Sequence, residues 1–178
     1  MWFPTDVGTT GGLATEGGCG PAGLTPKNLR RIKAFAELDD QQLASFMQYM
    51  EVLQFKPFTT VVRHGDHGDA MYFILEGELR SRVMVDGRES TLATLTIGDF
   101  FGEISLLDHG PRSADVLANQ ESVLLKISAA AFDKLRLEAP ALAAPFLFAL
   151  SRLIAGRLRN LNKRYQDSIH LSRAGAGN

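Results

Sequence analysis

The chain holds one cysteine in 178 residues, Cys19, so it builds no internal disulfide and no multi-cysteine zinc site. Glycines flank it on both sides, Gly18 and Gly20, which makes it an incidental thiol rather than a shaped nucleophile. An excess of one charge is missing too. Nineteen Lys and Arg stand against 20 Asp and Glu, and a net charge of −1 marks no affinity for nucleic acid or acidic lipid. No basic residue precedes Lys27 and no long apolar run accompanies it, so a secretory signal is not expected. The longest apolar stretch, residues 139–150, is interrupted by Pro140 and Pro145 and is too short to span a bilayer. A cytoplasmic protein without a membrane span is the expectation.

What is present points to one domain with a real core: 45% hydrophobic residues and 22% charged. Residues 1–23 hold seven glycines, two prolines and only Asp6 and Glu16 as charges, a composition predicted to stay a flexible tail. Trp2 and Phe3 stand alone in it. Helical spacing begins near Pro26, with Thr25 as N-cap. A second helix begins at Asp39 or Asp40, with Leu43, Phe46, Met47 and Met50 on one face.

From Val52 to Ile127 the pattern turns to short β-type runs split by Gly65-Asp66, Gly68-Asp69, Gly77, Asp86-Gly87 and Gly98-Asp99. Asp86-Gly87 between Arg82–Val85 and Arg88–Thr91 fits a two-residue type I′ hairpin. Helical spacing returns after Ser128, a candidate cap for a short helix carrying Phe132 and Leu135. A longer helix follows from about Pro145 to Leu171. Its stripe Leu150, Ile154, Leu158, Leu161, Tyr165 and Ile169 packs on the chain's own sheet or on a second copy. The expected class is α+β: an antiparallel, jelly-roll-like β-roll (52–127) flanked by N-terminal helices (24–51) and C-terminal helices (128–171). A flexible end covers 172–178.

One window breaks the strand pattern: Phe101-Gly102-Glu103-Ile104-Ser105-Leu106-Leu107-Asp108-His109-Gly110-Pro111-Arg112-Ser113-Ala114-Asp115-Val116-Leu117-Ala118. Gly102 ends a strand and opens a short helical turn whose free N–H groups favour an anion. Without a side chain, Gly102 lets a ligand approach that backbone closely. Pro111 stiffens the return and delivers Arg112, whose forked guanidinium suits a phosphate. Glu103 would be repelled by a phosphate, but it makes sense as acceptor for a sugar hydroxyl in the positive field of the helix start. Anion cradle, arginine and hydroxyl-accepting carboxylate together describe a ribose phosphate with a free 2′-OH.

At these residues the sequence closely resembles the cyclic-nucleotide-binding domain family, which includes the catabolite activator protein, the regulatory subunit of the cAMP-dependent kinase and nucleotide-gated channels. The shared cassette reads F-G-E-hydrophobic-small-L-L, three variable residues, P-R-small-A, then x-V-x-A. The likeness extends over about Leu38 to Tyr165 and includes the run from Arg63 to Gly77. It implies a cAMP or cGMP ligand, with Arg112 on the exocyclic phosphate oxygens and Glu103 on the ribose 2′-OH. Backbone groups of Gly102, Ile104 and Ser105 complete the cradle, and Ser113 lies beside the phosphate or base. The C-terminal helix closes as a lid, with Asn160 and Asn162 on the stretch that meets a purine edge. Two positions depart from the pattern: Ser105 for Ala or Gly, and Asp115 for Thr or Ser. Alternation with Ala114 and Val116 turns Asp115 outward.

The resemblance also implies a sensor that moves its terminal helix and signals to a partner protein or a second copy, with no enzymatic activity and no cofactor beyond the ligand. The transcription factors of the family place a helix-turn-helix domain after that helix. Here seven residues follow Leu171, so no nucleic-acid contact is expected despite Arg152, Arg157, Arg159, Lys163 and Arg164. Two other readings exist for this fold: a ligand-free scaffold dimerising through the 150–169 stripe, and a metalloenzyme of cupin type. The second needs converging ligands, and His64, His67 and His109 do not have that spacing.

Overall fold

A computed structural model describes residues 24–175; the tail expected at 1–23, with Cys19, Trp2 and Phe3, lies outside the described residues, as do the last three residues. The chain opens with α1 (Pro26–Leu29), a 3-10 turn (Lys33–Phe35) and α2 (Asp40–Met47). Asp39 caps α2 reciprocally: its carboxylate accepts from Gln42 N at 2.8 Å, and Gln42 Oε1 accepts from Asp39 N at 2.9 Å.

Eight strands follow: β1 (Glu51–Phe55), β2 (Thr60–Val62), β3 (Ala70–Glu76), β4 (Leu79–Val85), β5 (Arg88–Leu95), β6 (Phe100–Phe101), β7 (Asp115–Ala118) and β8 (Ser122–Ser128). They form two antiparallel sheets, β1-β8-β3-β6 and β2-β7-β4-β5. The β4–β5 hairpin turns on Asp86 (φ 50°) and Gly87 (φ 74°), and two positive φ values are what a type I′ turn requires. Between β6 and β7 lies α3 (Glu103–Asp108), and after β8 come α4 (Ala129–Glu138) and α5 (Pro140–Gly175). Ser128 Oγ accepts from Ala131 N at 3.1 Å and so caps α4.

Strand alternation makes β3 a wall between two cores. Ala70, Tyr72 and Ile74 face the roll interior beside Leu79, Phe101, Val116 and Leu124. Met71, Phe73 and Leu75 face the helices, joining Phe35, Phe46, Phe132 and Phe146. This double burial explains the uninterrupted apolar run Ala70–Leu75. Phe146 is the aromatic hub. Its ring centroid lies 5.4 Å from Phe35, 4.8 Å from Phe46, 6.1 Å from Phe73 and 6.4 Å from Phe132.

The last helix corrects two expectations. It begins at Pro140 rather than near Pro145, and it continues through Gly175, past the flexible end placed at 172. Pro140 takes the first helical position, where a missing N–H costs nothing. Pro145 frees the carbonyl of Ala141, and Ala141 is exposed, so water can satisfy it. The two prolines therefore do not interrupt the apolar segment, and the helix over Pro140–His170 is long and apolar enough to cross a bilayer. Its first turns spend that surface on the domain core instead: Leu142, Ala143, Phe146, Ala149 and Leu150 are buried. Further along, Leu158, Leu161 and Tyr165 are exposed.

Phe146→Ala removes a ring that four elements share. The expected loss is about 3–5 kcal/mol, read as a shift of the urea midpoint at unchanged slope; a loss below about 1 kcal/mol contradicts the hub.

Candidate functional site

The site is built where β6 meets α3. Gly102 ends the strand in the left-handed region at φ 81° and serves as N-cap of α3. A Cβ there would lie 2.6 Å from Arg112 Nη1 and 2.8 Å from the Ala70 carbonyl oxygen. Backbone conformation and close approach thus both demand glycine.

The return segment is pinned to the β2–β3 loop. Arg112 N donates to Asp66 O at 2.8 Å, Gly65 N donates to Arg112 O at 2.9 Å, and His67 bridges to Pro111. Gly68 sits so close to α3 that a Cβ on it would fall 2.0 Å from Ser105 Cβ. Ser105 Oγ donates to Pro111 O at 3.2 Å, tying the helix to its own return. Loop, helix and return form one unit.

That unit buries a guanidinium. Arg112 is 4% exposed; its Nη1 donates to Ala70 O at 2.7 Å and Gly102 O at 3.2 Å. The Tyr72 ring lies 5.9 Å from its Cζ and itself stacks on Phe101. Burial pushes the Tyr72 hydroxyl above its ordinary pKa, with Arg112 pulling the other way. The acid paired with Arg112 is Asp69, 3.8 Å away and 69% exposed. A buried cation so weakly neutralised projects positive potential onto the start of α3.

Glu103 is buried as well, at 6% exposure. Its partner is Arg157 of α5, whose Nη1 reaches Glu103 Oε1 at 3.0 Å. Arg157 Nη2 donates to Phe100 O at 2.6 Å, and its Cζ lies 3.9 Å from the Phe100 ring centroid. A carboxylate this buried needs a counter-charge. The long helix supplies it.

The structure therefore brings Gly102, Glu103, Ser105 and Arg112 together. Ile104 contributes backbone to the same turn, with its side chain exposed, and Ser113 is exposed beside Arg112. Asn160 and Asn162 are both exposed on α5. Arg157 marks the inward face of α5, as does Arg164, whose Nη1 reaches Leu92 O at 3.4 Å. At about 100° per residue, Asn160 flanks that face, whereas Asn162 lies on the far side.

Asp115 lies on the outer face of its sheet, opposite Arg82 in the ladder. Its carboxylate accepts from His64 N at 2.8 Å and from Arg82 Nε at 3.3 Å. The His64 amide above all, then Arg82, holds its pKa below the ordinary 3.8. Arg82 also pairs with Glu89, and that hydrogen bond raises its own pKa. Asp115 is thus a neutralised outer-face acid. Among the described residues no three His, Cys, Asp or Glu side chains gather as a metal site.

Sequence reasoning missed Arg157, which it counted only within a basic run, and Gly68, Asp69 and Tyr72 around Arg112. The seven-residue interval from Arg157 to Arg164 puts both on one helical face and was the available signal.

Residues 52–138 match the cyclic nucleotide-binding domain family. A cAMP-activated, CRP-like global transcriptional regulator of Mycobacterium tuberculosis is 28% identical over 142 residues, 79% of this chain and 62% of the regulator. The N-terminal domain of a transcriptional regulator from Streptomyces coelicolor is 34% identical at TM-score 0.65, covering 76% of this chain and 95% of that one. Catabolite activator protein of Thermus thermophilus is 30% identical at TM-score 0.68, covering 75% and 62%. The chain belongs to the cyclic nucleotide-binding domain family. It spans about three fifths of the mycobacterial regulator.

Gly68→Ala forces its methyl into Ser105, and overpacking of this kind costs about 1–3 kcal/mol. Ser105→Gly in the same chain removes the obstacle and recovers part of that loss in a thermal or urea melt; strictly additive losses contradict the contact. Asp115→Asn probes the depressed carboxylate. Because the folded pKa is lowered, its contribution is complete above pH 3.8 and is lost as pH falls through the lower folded value. The stability gap between wild type and variant should be flat near neutrality and close under acid; a gap that widens under acid contradicts the assignment.

Proposed function

We propose that the chain is a cyclic-nucleotide sensor, binding cAMP or cGMP without turning it over. The phosphate would contact Arg112 and the amides of Gly102, Ile104 and Ser105, and the ribose 2′-OH would meet Glu103. Ser113 lies beside the phosphate or base. The observation that carries this reading is the presence of two buried, oppositely charged side chains, Glu103 and Arg112, unpaired with each other at one glycine turn. Arg112 is short of negative charge, and a phosphate supplies it through charge-assisted bonds. No nucleophile with an adjacent general base joins them, so the arrangement suits binding.

The output runs through α5. Arg157 grips Glu103 and Phe100, so a ligand that takes a bond from Glu103 competes with the helix for the same carboxylate. The helix position then follows ligand occupancy to the extent that affinity differs between its positions. Its exposed stripe of Leu158, Leu161 and Tyr165 offers a surface to a partner protein or a second copy. Asn160 flanks the face that would cover a base; Asn162 reaches it only if the helix rotates.

Calorimetry with cAMP and cGMP tests the reading. Arg112→Ala should weaken binding by about 2–4 kcal/mol, the loss of a buried charge-assisted pair. Glu103→Gln should leave the variant unable to tell cAMP from its 2′-deoxy analogue. Unchanged affinity in Arg112→Ala, or no binding to wild type, overturns the proposal.

A further inference from the structure

On the opposite side of α5 from Arg157, the helix and the 3-10 turn enclose an open groove of about 410 Å³. Its floor is aliphatic, with Ala149 and Leu153, and its rim carries Lys33, Arg152 and Arg159 against one acid, Glu37. Glu37 is committed to Arg152 at 3.0 Å. Among the described residues Lys33 and Arg159 have no ion pair, so two positive charges stand unbalanced around an apolar slot. From this we infer that the groove docks an acidic peptide segment of a partner protein.

Charge and spacing select that occupant. Arg152 and Arg159 are two helical turns apart, about 10 Å along the axis. A peptide in the polyproline II conformation has three residues per turn and advances about 3.1 Å per residue, so carboxylates three residues apart lie on one side, about 9 Å apart, and meet both cations. One of the two residues between them offers an apolar side chain to Leu153. A nucleic acid would satisfy the cations equally well, but the slot's own lining is not aromatic, and the exposed Phe148 ring beside it is already covered by Arg152, whose Cζ lies 5.9 Å from its centroid. Arg152 and Arg159 also bracket Arg157, so a partner held here grips the segment of α5 that holds Glu103. The consequence for signalling rests on the sensor reading above; the docking itself does not.

Fluorescence anisotropy with the full chain and no nucleotide tests it. The probe is a labelled nine-residue peptide with Glu at every third position and Leu or Ala between; the control has Gln for Glu. The acidic peptide should bind at least tenfold tighter than the control. Lys33→Glu/Arg159→Glu should weaken it at least tenfold, Lys33→Ala/Arg159→Ala by a smaller factor, and Lys134→Glu on α4 not at all. Calorimetry on the reversed variant should show unaltered cyclic-nucleotide affinity, so the two proposals fail separately. Equal or absent binding of the two peptides, indifference to the reversal, or tighter binding of a single-stranded oligonucleotide overturns the inference. A change of mass in light scattering on reversal also overturns it, because the groove would then hold a second copy.

Discussion

Arg112 is the constraint around which this domain is arranged. A guanidinium held at 4% exposure must find acceptors inside the protein, and it finds the carbonyls of Ala70 and Gly102. To turn the Gly102 carbonyl that way the backbone takes a positive φ, and the space a Cβ would need is filled by the arginine itself. Holding Arg112 at that depth also requires the return segment to lie flat against the β2–β3 loop, which it does through Asp66 and Gly65. Gly68 then has to pass Ser105 at a distance no side chain permits. Three glycine and serine positions with no charge of their own are thus dictated by one cation.

Charge is sorted by depth. The outer face of β4, β5 and β7 carries Arg80, Arg82, Glu89 and Asp115 in paired contacts, balanced and open to solvent. Exposed pairs of this sort contribute little each, but they keep Asp115 and Glu89 occupied away from the roll interior. Inside, Arg112 and Glu103 are buried without being paired to each other. A balanced exterior and a separated interior pair are what the proposed ligand, both anionic and hydroxylated, would require.

The cassette was legible because its reasons are local. Gly102 before a helical turn, Pro111 ahead of Arg112, and the alternation that turns Asp115 outward each follow from backbone rules within a few residues. The β-roll was legible for the same reason: Asp86-Gly87 and the other glycine-aspartate steps announce its turns. What escaped depends on distance. Arg157 lies 54 residues from Glu103, and its seven-residue interval to Arg164 marks a helical face without saying what that face meets. The burial of Glu103 supplies the demand that Arg157 meets, and burial is a property of the assembled roll. Pro140 and Pro145 misled for a similar reason. A proline deletes one hydrogen bond, and whether that ends a helix is decided by whether water reaches the freed carbonyl, as it does at Ala141.

Arg157 also bears on the coupling that the proposed sensor would use. Among the anchors of the helix are Phe146 in a dry aromatic core and Arg157 on a polar edge, beside the contacts of Arg152 with Glu37 and of Arg164 with Leu92 O. The first anchor is apolar, in the core that Phe100 and Leu106 also join, and offers a hydroxyl or phosphate nothing to compete for. The second shares its acceptor with the proposed ligand. Thermodynamic reciprocity then applies: whatever weakens the grip of Arg157 on Glu103 frees the carboxylate for ligand, and whatever ligand takes from the carboxylate loosens Arg157 by an equal free energy. Under that proposal, movement would fall to the turns beyond Ile154, where Leu158, Leu161 and Tyr165 are exposed. Phe146 would then act as the fulcrum, and the exposed end of α5 would report what Glu103 holds.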